Sequence, residues 1–470
     1  MPQRAFSDLS AGERAEALLD PGTLHALLPE SGERGALVIT RGRLQGRPVV
    51  LAVTDGHRRG GTIGQAEAGH LSHVLAVAEA QRGTGVAVCW DTGGVRVQEG
   101  PAALAAASAV GVAITRLALR GVPVVSVISG PRGCFGAPSV VAAAGHRLVL
   151  TAGALWGLTG PQLLDDAHGA QGGETEARSV MSATARVAAG HADAMVPDTP
   201  EGVRAALAAW LARRPPRQSL AAVLDRGATV TAALREQLLA AGHPAPAAPP
   251  RRRDLFAYSF RGQWRPTGPT VRAGHVHAAW GELAGYEVMA ILVGPERSHL
   301  GIGIEDAQTV VQALAMARAR SRRRAVPIVT FVFCRGHASE LAAERAGLPR
   351  ALAECLRSMV AARLAGHPLL CVLGGGAYGA AYLTLAAPSH RVLAIRGTTV
   401  APMAPRVLAT FQRLRGVRHD EHTPEDLARH IPEIRIVESV VRLPRVLADE
   451  LALAVAAARG GKRQAGASGW

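Results

Sequence analysis

Gly133-Cys134-Phe135-Gly136-Ala137 is the first copy of a pattern that occurs twice in the chain. It lies between an apolar, strand-like run that ends at Ile128 and a short helical stretch of small residues. Far downstream, Gly376-Ala377-Tyr378-Gly379-Ala380 repeats the order of glycine, small residue, aromatic residue, glycine and alanine in the same context. The strand-like runs that follow also match, as HRLVLT (146–151) and HRVLAI (390–395). Self-similarity of this kind indicates duplicated domains.

The rest of the sequence is consistent with two domains of one class. The chain has 470 residues, of which 48% are hydrophobic and 19% charged, as in globular proteins. Strand-like runs alternate with glycine turns and helical runs, including a long one over 338–364, which predicts parallel strands joined by helical crossovers. We expect a first domain at 1–242, a Pro/Ala/Arg linker at 243–253, a second domain at 254–460 and a disordered tail at 461–470.

Composition also narrows the environment and the chemistry. The amino-terminal stretch lacks the apolar core of a signal peptide and no apolar run has membrane-spanning length, so we expect a cytoplasmic protein without a membrane partner. Five cysteines without a CxxC pair favour reduced, buried thiols. Lys462 is the only lysine, which argues against Schiff-base chemistry. The net charge of +15 is consistent either with an acidic partner or with a general Ala/Arg/Gly bias.

Several residues near these motifs admit two interpretations. Cys134 could be a nucleophile, but no His/Asp partner is indicated nearby, and a small residue suits the turn. Asp91, Arg96 and Glu99 could contact a substrate; helix capping by Asp91 or Thr92, with a local Arg96–Glu99 pair, is the structural alternative we favour. The loops lack the full spacing of a dinucleotide fingerprint.

Two further charged clusters are assigned structural roles. His419–His422 with His430 lacks a recognised metal-ligand spacing, so no metal site is predicted. The arginine runs 251–253 and 322–324 have no interleaved aromatic residues, so nucleic-acid binding is not predicted.

Four motifs of the first half resemble the beta subunit of biotin-independent malonate decarboxylase, a relative of acyl-CoA carboxyltransferases. They are GGTIGQ (60–65), DTGGVRVQEG (91–100), GPRGCFGAPS (130–139) and WGLTGP (156–161). The second half is similar to the gamma subunit, through the segments 361–383, 390–395, 401–408 and 422–434. The resemblance therefore implies a natural fusion of the two subunits.

The resemblance implies a fold and an activity. The fold is α/β, with two tandem crotonase-like domains that each contain a parallel β-sheet and ββα-type repeats. The activity is decarboxylation of a malonyl thioester on an acyl carrier protein, with no cofactor bound to the enzyme. The acyl group is carried on a phosphopantetheine-type, dephospho-CoA-derived arm. The expected partners are that carrier protein and an acyltransferase subunit that loads it, and the enzyme is expected to be a homo-oligomer.

Decarboxylation of a malonyl thioester produces an enolate, so the site must place hydrogen-bond donors where oxyanion charge develops. A glycine turn at a helix N-terminus offers backbone N–H groups together with the positive end of the helix dipole. We therefore expect one donor from Gly94 or Val95 and another from Gly136 or Ala137.

The remaining site residues follow from the same resemblance. Gly93 and Gly133 would set the turns, and Phe135 would contact the substrate. Gly379 and Ala380, which correspond to the loop that holds biotin in biotin-dependent relatives, would line the pocket that orients the departing carboxylate. The proton for the enolate carbon could come from water or from a side chain of the pocket.

Two other functions are compatible with the sequence. The chain could be a carboxyltransferase that works with a biotin carrier protein. It could also be a non-catalytic protein that binds the carrier, since Pro138 removes one amide donor from the first loop.

Overall fold

The structure is a computed structural model that describes residues 4–27, 35–81, 83–168, 173–241, 264–294, 301–321, 324–334, 336–403, 409, 423–429, 431 and 434–467. The expected linker at 243–253 lies outside these residues.

The first half of the chain forms one seven-stranded sheet with helices on its faces. Its strands are His25–Ala26 (β1), Leu37–Leu44 (β2), Arg47–Thr54 (β3), Gly85–Trp90 (β4), Val124–Ile128 (β5), Arg147–Thr151 (β6) and Ala194–Val196 (β7). Its helices are Ala11–Leu18 (α1), Gln65–Ala80 (α2), Gly100–Leu119 (α3), Ala137–Ala143 (α4), Pro161–His168 (α5), Gly173–Met181 (α6), Ala183–Ala188 (α7), Pro200–Leu211 (α8) and Leu220–Ala240 (α9). Short 3₁₀ turns occur at Phe6–Asp8, Arg59–Gly61 and Val97–Glu99.

The second half builds a sheet of the same size. Its strands are Trp264–Ala273 (β8), Val276–Leu283 (β9), Tyr286–Val293 (β10), Ile328–Val332 (β11), Leu369–Leu373 (β12), Gly376–Tyr378 (β13), Arg391–Ile395 (β14), Thr399–Ala401 (β15) and Ile434–Val437 (β16). Its helices are Ile304–Arg320 (α10), Leu341–Arg345 (α11), Leu348–Leu364 (α12), Gly379–Ala381 (α13), Pro424–Ala428 (α14) and Leu443–Ala467 (α15), with a π-helix at Tyr382–Ala386.

The two large sheets have the same topology. The first runs in the order β1 to β7, and the second runs through β8, β9, β10, β11, β12, β14 and β16, while β13 and β15 form a separate pair. In each sheet the first three strands are antiparallel and the later ones parallel. The central strands β4, β5, β11 and β12 are buried along their whole length, as expected for parallel strands covered on both faces. The predicted α/β class with two tandem crotonase-like domains is confirmed, although each sheet is mixed at one edge.

The halves share a hydrophobic core built from their helices. Helix α3 packs on α12, and α9 packs on both α10 and α12. Gly111 of α3 allows the close approach, since a Cβ atom there would lie 2.8 Å from Cδ1 of Leu383 in the π-helix. The helical segment Val97–Leu119 is long and apolar enough to cross a membrane, and 78% of its apolar window is buried inside the protein, as in a core helix.

Two expectations about helices need correction. The predicted helix over 338–364 is divided into α11 and α12, because Gly347 takes a left-handed conformation with φ of 86° between them. The last helix, α15, continues to Ala467, so residues 461–467, expected to be disordered, are helical. A helix that is already nucleated continues at little cost per residue, so α15 runs through Gly460, Gly461 and Gly466 although glycine has low helix propensity.

Candidate functional site

The first glycine loop connects β5 to α4 and is fixed by glycine conformations. Gly133 has a φ of 68°, and a Cβ atom there would lie 2.3 Å from the carbonyl oxygen of Leu155, so no larger residue fits. Gly136, the residue before α4, has φ of 65° and ψ of −149°, a region that is essentially restricted to glycine. The loop therefore reaches the helix N-terminus along a path that only glycine allows.

The turn that contains Gly94 lies directly against this loop. Thr92 N–H donates to the carbonyl of Gly133 (2.8 Å), and Phe135 N–H donates to the carbonyl of Thr92 (3.2 Å). The Cα atom of Gly94 lies 3.7 Å from where a Cβ atom of Gly136 would be. The structure thus brings the two predicted turns together at the carboxyl ends of β4 and β5.

The hydrogen bonds separate the four expected donors into two groups. Gly136 N–H donates to the carbonyl of Leu158 (2.9 Å), and Gly94 N–H donates to Oγ1 of Thr92 (3.1 Å). The amides of Val95 and Ala137 have no hydrogen-bond partner among the residues that the structure describes. Of the alternatives left open by the sequence, Val95 and Ala137 are therefore the two whose amides are unpaired within the described part of the chain.

A cavity of about 720 Å³ adjoins both turns. Gly93, Val95 and Phe135 line it, and so does Met403 from the second half of the chain. Its described lining contains four arginines and no acidic residue; the arginines are Arg59, Arg96, Arg132 and Arg178. The cavity is therefore suited to an anionic ligand.

Arg96 is held rigidly in the wall of this cavity. Its guanidinium forms ion pairs with Glu67 (2.6 Å) and Glu99 (2.7 Å), which confirms the predicted Arg96–Glu99 pair. Burial opposes ionisation of Glu67, but its bonds to Arg96 outweigh that effect and the pKa of Glu67 is lowered.

Asp91 does not cap a helix, so that expectation is wrong. Its side chain is fully buried and forms an ion pair with Arg14 (3.2 Å), and it accepts a hydrogen bond from the backbone N–H of Arg132 (2.9 Å). Burial raises the pKa of Asp91 although Arg14 opposes the shift. The side chain of Asp91 therefore fixes residues 129–132, which lead into the first loop. Thr92, the other expected cap, does not cap a helix either, because its hydroxyl accepts from the amide of Gly94, which precedes the helical residues.

Cys134 is fully buried in the loop. Burial, together with the nearby charge of Asp91, raises its thiol pKa well above the ordinary value, so the nucleophilic thiolate is disfavoured. This supports the interpretation of Cys134 as a small structural residue.

The second loop has the same glycine spacing but a different backbone conformation, since Gly376–Tyr378 forms strand β13 and Gly379 is already the first residue of a helix. Gly379 has a φ of 45°, and a Cβ atom there would lie 2.8 Å from the carbonyl oxygen of Pro402. The hydroxyl of Tyr378 is hydrogen-bonded to Thr399. Ala380 is buried in the short helix α13, which passes directly into the π-helix.

Sequence reasoning missed two residues beside the first loop. Glu344 and Arg186 form an ion pair of 3.1 Å, with side chains 0% and 1% exposed, and Glu344 also binds the backbone of Leu158 and Thr159. Glu344 is 158 positions from Arg186 and still further from Leu158 and Thr159, and neither charged residue belongs to a recognisable motif, so no local signal identifies them.

Within the described residues, no group of three or more His, Cys, Asp or Glu side chains is placed to hold a metal ion. The segment 419–422 and His430, which were considered as metal ligands, lie outside the described residues.

Comparison with known proteins gives a family match that spans most of the chain. A family model described as "Carboxyl transferase domain" matches residues 9–431. Among curated proteins, the carboxyl transferase subunit beta of acetyl-coenzyme A carboxylase from Opitutus terrae is 32% identical over 146 residues, covering 31% of this chain and 50% of that protein. Malonyl-S-ACP:biotin-protein carboxyltransferase MADC from Malonomonas rubra is 27% identical over 198 residues, covering 36% of this chain and 62% of that protein.

Solved structures include similar chains. One chain of the Pseudomonas malonate decarboxylase MdcD–MdcE hetero-dimer is 35% identical, with a TM-score of 0.41, over 46% of this chain and 91% of that chain. The transcarboxylase 12S core is 19% identical, with a TM-score of 0.41, over 95% of this chain and 90% of that chain.

Proposed function

This chain belongs to the carboxyl transferase domain family, and from that membership we propose that it decarboxylates a malonyl thioester on an acyl carrier protein without biotin. The observation that carries the proposal is the pair of amides without a partner in the described part of the chain, Val95 and Ala137, in two adjoining turns next to an arginine-lined cavity.

The two amides supply what the reaction needs. When the bond between the malonyl carboxylate and the α-carbon breaks, its electron pair moves into the thioester carbonyl and carbon dioxide leaves. The enolate oxygen then accepts hydrogen bonds from the N–H groups of Val95 and Ala137. Because these donors are fixed before the reaction begins, they stabilise the developing charge without reorganisation. The enolate carbon finally takes up a proton to give the acetyl thioester.

The cavity supports an anionic substrate on a long arm. Its size is within the usual range of small-molecule sites, roughly 300–1,000 Å³. Arg132 would attract the malonyl carboxylate or the phosphates of a phosphopantetheine-type arm. The charge of Arg96 is already balanced by Glu67 and Glu99. Met403 brings the second half of the chain to the same cavity, so both halves take part in binding.

We also propose that the chain corresponds to a fusion of the beta and gamma subunits of a malonate decarboxylase. The duplicated sheets and the family match across both halves support it. In this arrangement the acyl carrier protein and its loading acyltransferase are the partners, and the enzyme acts in the cytoplasm as a homo-oligomer.

The proposal is tested by measuring carbon dioxide release from malonyl-carrier protein and from malonyl-CoA, with avidin present to block any biotin carrier. We expect avidin-insensitive release and formation of the acetyl thioester. Release that avidin abolishes would instead indicate a biotin-dependent carboxyltransferase. Tight carrier binding without turnover would indicate a non-catalytic binding protein.

A further inference from the structure

Two buried, oppositely charged side chains join the halves of the chain beside the first loop. Glu344 comes from α11 of the second half and Arg186 from α7 of the first, and their ion pair measures 3.1 Å. The main-chain carbonyl of Glu344 also accepts from Arg186 (2.5 Å). The break between α11 and α12 at Gly347 allows α11 to place Glu344 at this contact.

The pair holds the segment 156–159 from one side. Oε1 of Glu344 accepts hydrogen bonds from the backbone N–H groups of Leu158 and Thr159, both at 2.8 Å. Nε of Arg186 donates to the carbonyl of Trp156 (2.9 Å). Burial raises the pKa of Glu344, while Arg186 and the two backbone N–H groups oppose that shift. The three bonds join this segment to a residue of the second half and to its partner Arg186.

The first loop holds the same segment from the other side. Gly157 N–H donates to the carbonyl of Cys134 (3.2 Å), and Gly136 N–H donates to the carbonyl of Leu158 (2.9 Å). Leu158 therefore connects the carboxylate of Glu344 to the glycine that precedes Ala137. Its N–H and C=O are both bonded, and such chains of hydrogen bonds polarise one another.

We infer that Glu344 and Arg186 are positioning residues, which hold the first loop so that Ala137 N–H points at the developing oxyanion only when the second half is docked. This inference rests on the proposed decarboxylation. A buried ion pair is weak evidence for added stability, because desolvation offsets much of its attraction. Its four bonds to the backbone of the site segment and of Glu344 itself point to a role in geometry.

The ion pair formed by the residue after Glu344, Arg345, provides a matched control. Arg345 forms an ion pair with Glu176 (2.6 Å), which also joins the two halves, but its side chains are 50% and 42% exposed. Glu176→Gln therefore removes a cross-half pair without changing the backbone bonds of residues 156–159.

The first experiment compares Glu344→Gln with Glu176→Gln in the full chain. We expect Glu344→Gln to lower kcat by about ten- to a hundredfold through misplacement of the donor. Its KM should stay within about twofold, since the loss falls on the transition state. Glu176→Gln should match the wild type. Equal kinetics in all three proteins would overturn the positioning role and leave the decarboxylase proposal standing.

The second experiment does not depend on turnover. Hydrogen–deuterium exchange should be faster in the peptides that cover 133–139 and 156–160 of Glu344→Gln, and unchanged in those of Glu176→Gln. This readout still tests the positioning role if the wild type proves inactive on malonyl thioesters. Unchanged exchange in both variants would overturn it.

A double variant keeps the test valid if Glu344→Gln alone misfolds because it leaves Arg186 buried without its partner. Glu344→Gln combined with Arg186→Gln removes both buried charges together, a change that proteins often tolerate. We expect the same loss of kcat and the same faster exchange from this variant. Wild-type kcat in a folded double variant would contradict the inference.

Discussion

The two glycine loops share a sequence pattern but differ in backbone conformation and in the elements on either side. Gly133 has a φ of 68°, whereas the equivalent Gly376 lies in strand β13. Four residues, Ser129–Arg132, connect β5 to the first loop, whereas only Gly374 and Gly375 connect β12 to the second. The first loop leads into the seven-residue helix α4, and the second into a three-residue helix followed by a π-helix. The glycine pattern is therefore common to both copies, while the backbone path, the preceding connector and the following helix differ.

This difference assigns the loops unequal roles. The longer connector carries Arg132 into the lining of the cavity, and its backbone amide is fixed by Asp91. The second loop has glycines at the corresponding place and so contributes no charge. A π-helix often marks a functional position, so the second loop remains a candidate for substrate orientation. The first loop is the better candidate for the chemistry.

The largest expected effect comes from Gly136→Val compared with Gly379→Val. The Cβ atom of a valine at 136 would meet no atom closer than 3.7 Å, but valine cannot adopt the φ and ψ angles of Gly136. The backbone there should therefore rotate, so that the amide of Ala137 no longer points at the oxyanion while the fold persists. We expect turnover to fall by at least about a hundredfold, the usual cost of losing an oxyanion donor. Gly379→Val should reduce it by less than about tenfold, because its Cβ would displace the carbonyl of Pro402 but the second loop supplies no oxyanion donor in the proposed reaction.

Gly285→Val is the control for this pair, since Gly285 has a φ of 78° in the β9–β10 turn with open space around it. Equal losses of turnover at 136 and 379 would mean that both loops serve the same chemical step.

A smaller effect is expected from Arg132→Gln. This variant removes the positive charge of the segment 129–132, which precedes the first loop and has no charged counterpart before the second loop. The variant keeps the backbone amide that binds Asp91 and removes only the guanidinium, which donates to the carbonyl of Gly56 (3.3 Å). We expect KM for the malonyl thioester to rise about tenfold with kcat nearly unchanged, because ground-state attraction is lost. The ratio of the variant KM to the wild-type KM should decrease at higher salt concentration, because salt screens the charge of Arg132 in the wild type.

Arg265→Gln, which removes an exposed arginine paired with Glu282 in the second half, should leave KM unaltered. A KM for Arg132→Gln that equals the wild-type value at low salt would remove Arg132 from the binding site.

The smallest effect concerns a feature in which the two copies should behave alike. His146 and His390 directly precede the equivalent strands β6 and β14. Nδ1 of His146 accepts a hydrogen bond from the backbone N–H of Val124 (3.2 Å), and Nδ1 of His390 accepts one from the backbone N–H of Leu369 (3.1 Å). Burial, with a contribution from nearby arginines, lowers the pKa of His146 to about 3 and of His390 to about 4, from an ordinary value of 6.5.

Between pH 4 and 6.5 these histidines are neutral in the folded protein but become protonated when it unfolds. The free energy of unfolding should therefore fall as the pH decreases from 6.5 towards 4. Each histidine contributes a slope of roughly 1.4 kcal/mol per pH unit in that window. Denaturant unfolding across this range should show a shallower decline for His146→Gln and for His390→Gln, by the same amount in each. A change in slope for only one variant would show that the copies differ here as well.

Much of the fold could be predicted because its signals are local. Apolar runs, glycine turns and the repeated HR strand starts each lie within a few residues, and together they predict two α/β domains. The helix over 338–364 was predicted too long because its apolar spacing continues through Gly347, and only the backbone conformation of that glycine shows the break. Asp91 was misassigned because its partner Arg14 is distant in sequence, so the local capping pattern was the only visible signal.

Residue types and their short-range order are enough to predict the duplication, the glycine turn in each copy and the candidate donors near Gly94 and Gly136. Such turns can be recognised in a sequence because glycine tolerates backbone angles that other residues rarely adopt. Which of the candidate amides are unpaired is visible only in the folded chain, where the amides of Gly94 and Gly136 are bonded and, within the described residues, those of Val95 and Ala137 are not. Hydrogen-bond acceptors are brought to an amide by packing between distant residues, as in the bond from Leu158 to Glu344 across 186 positions of the chain.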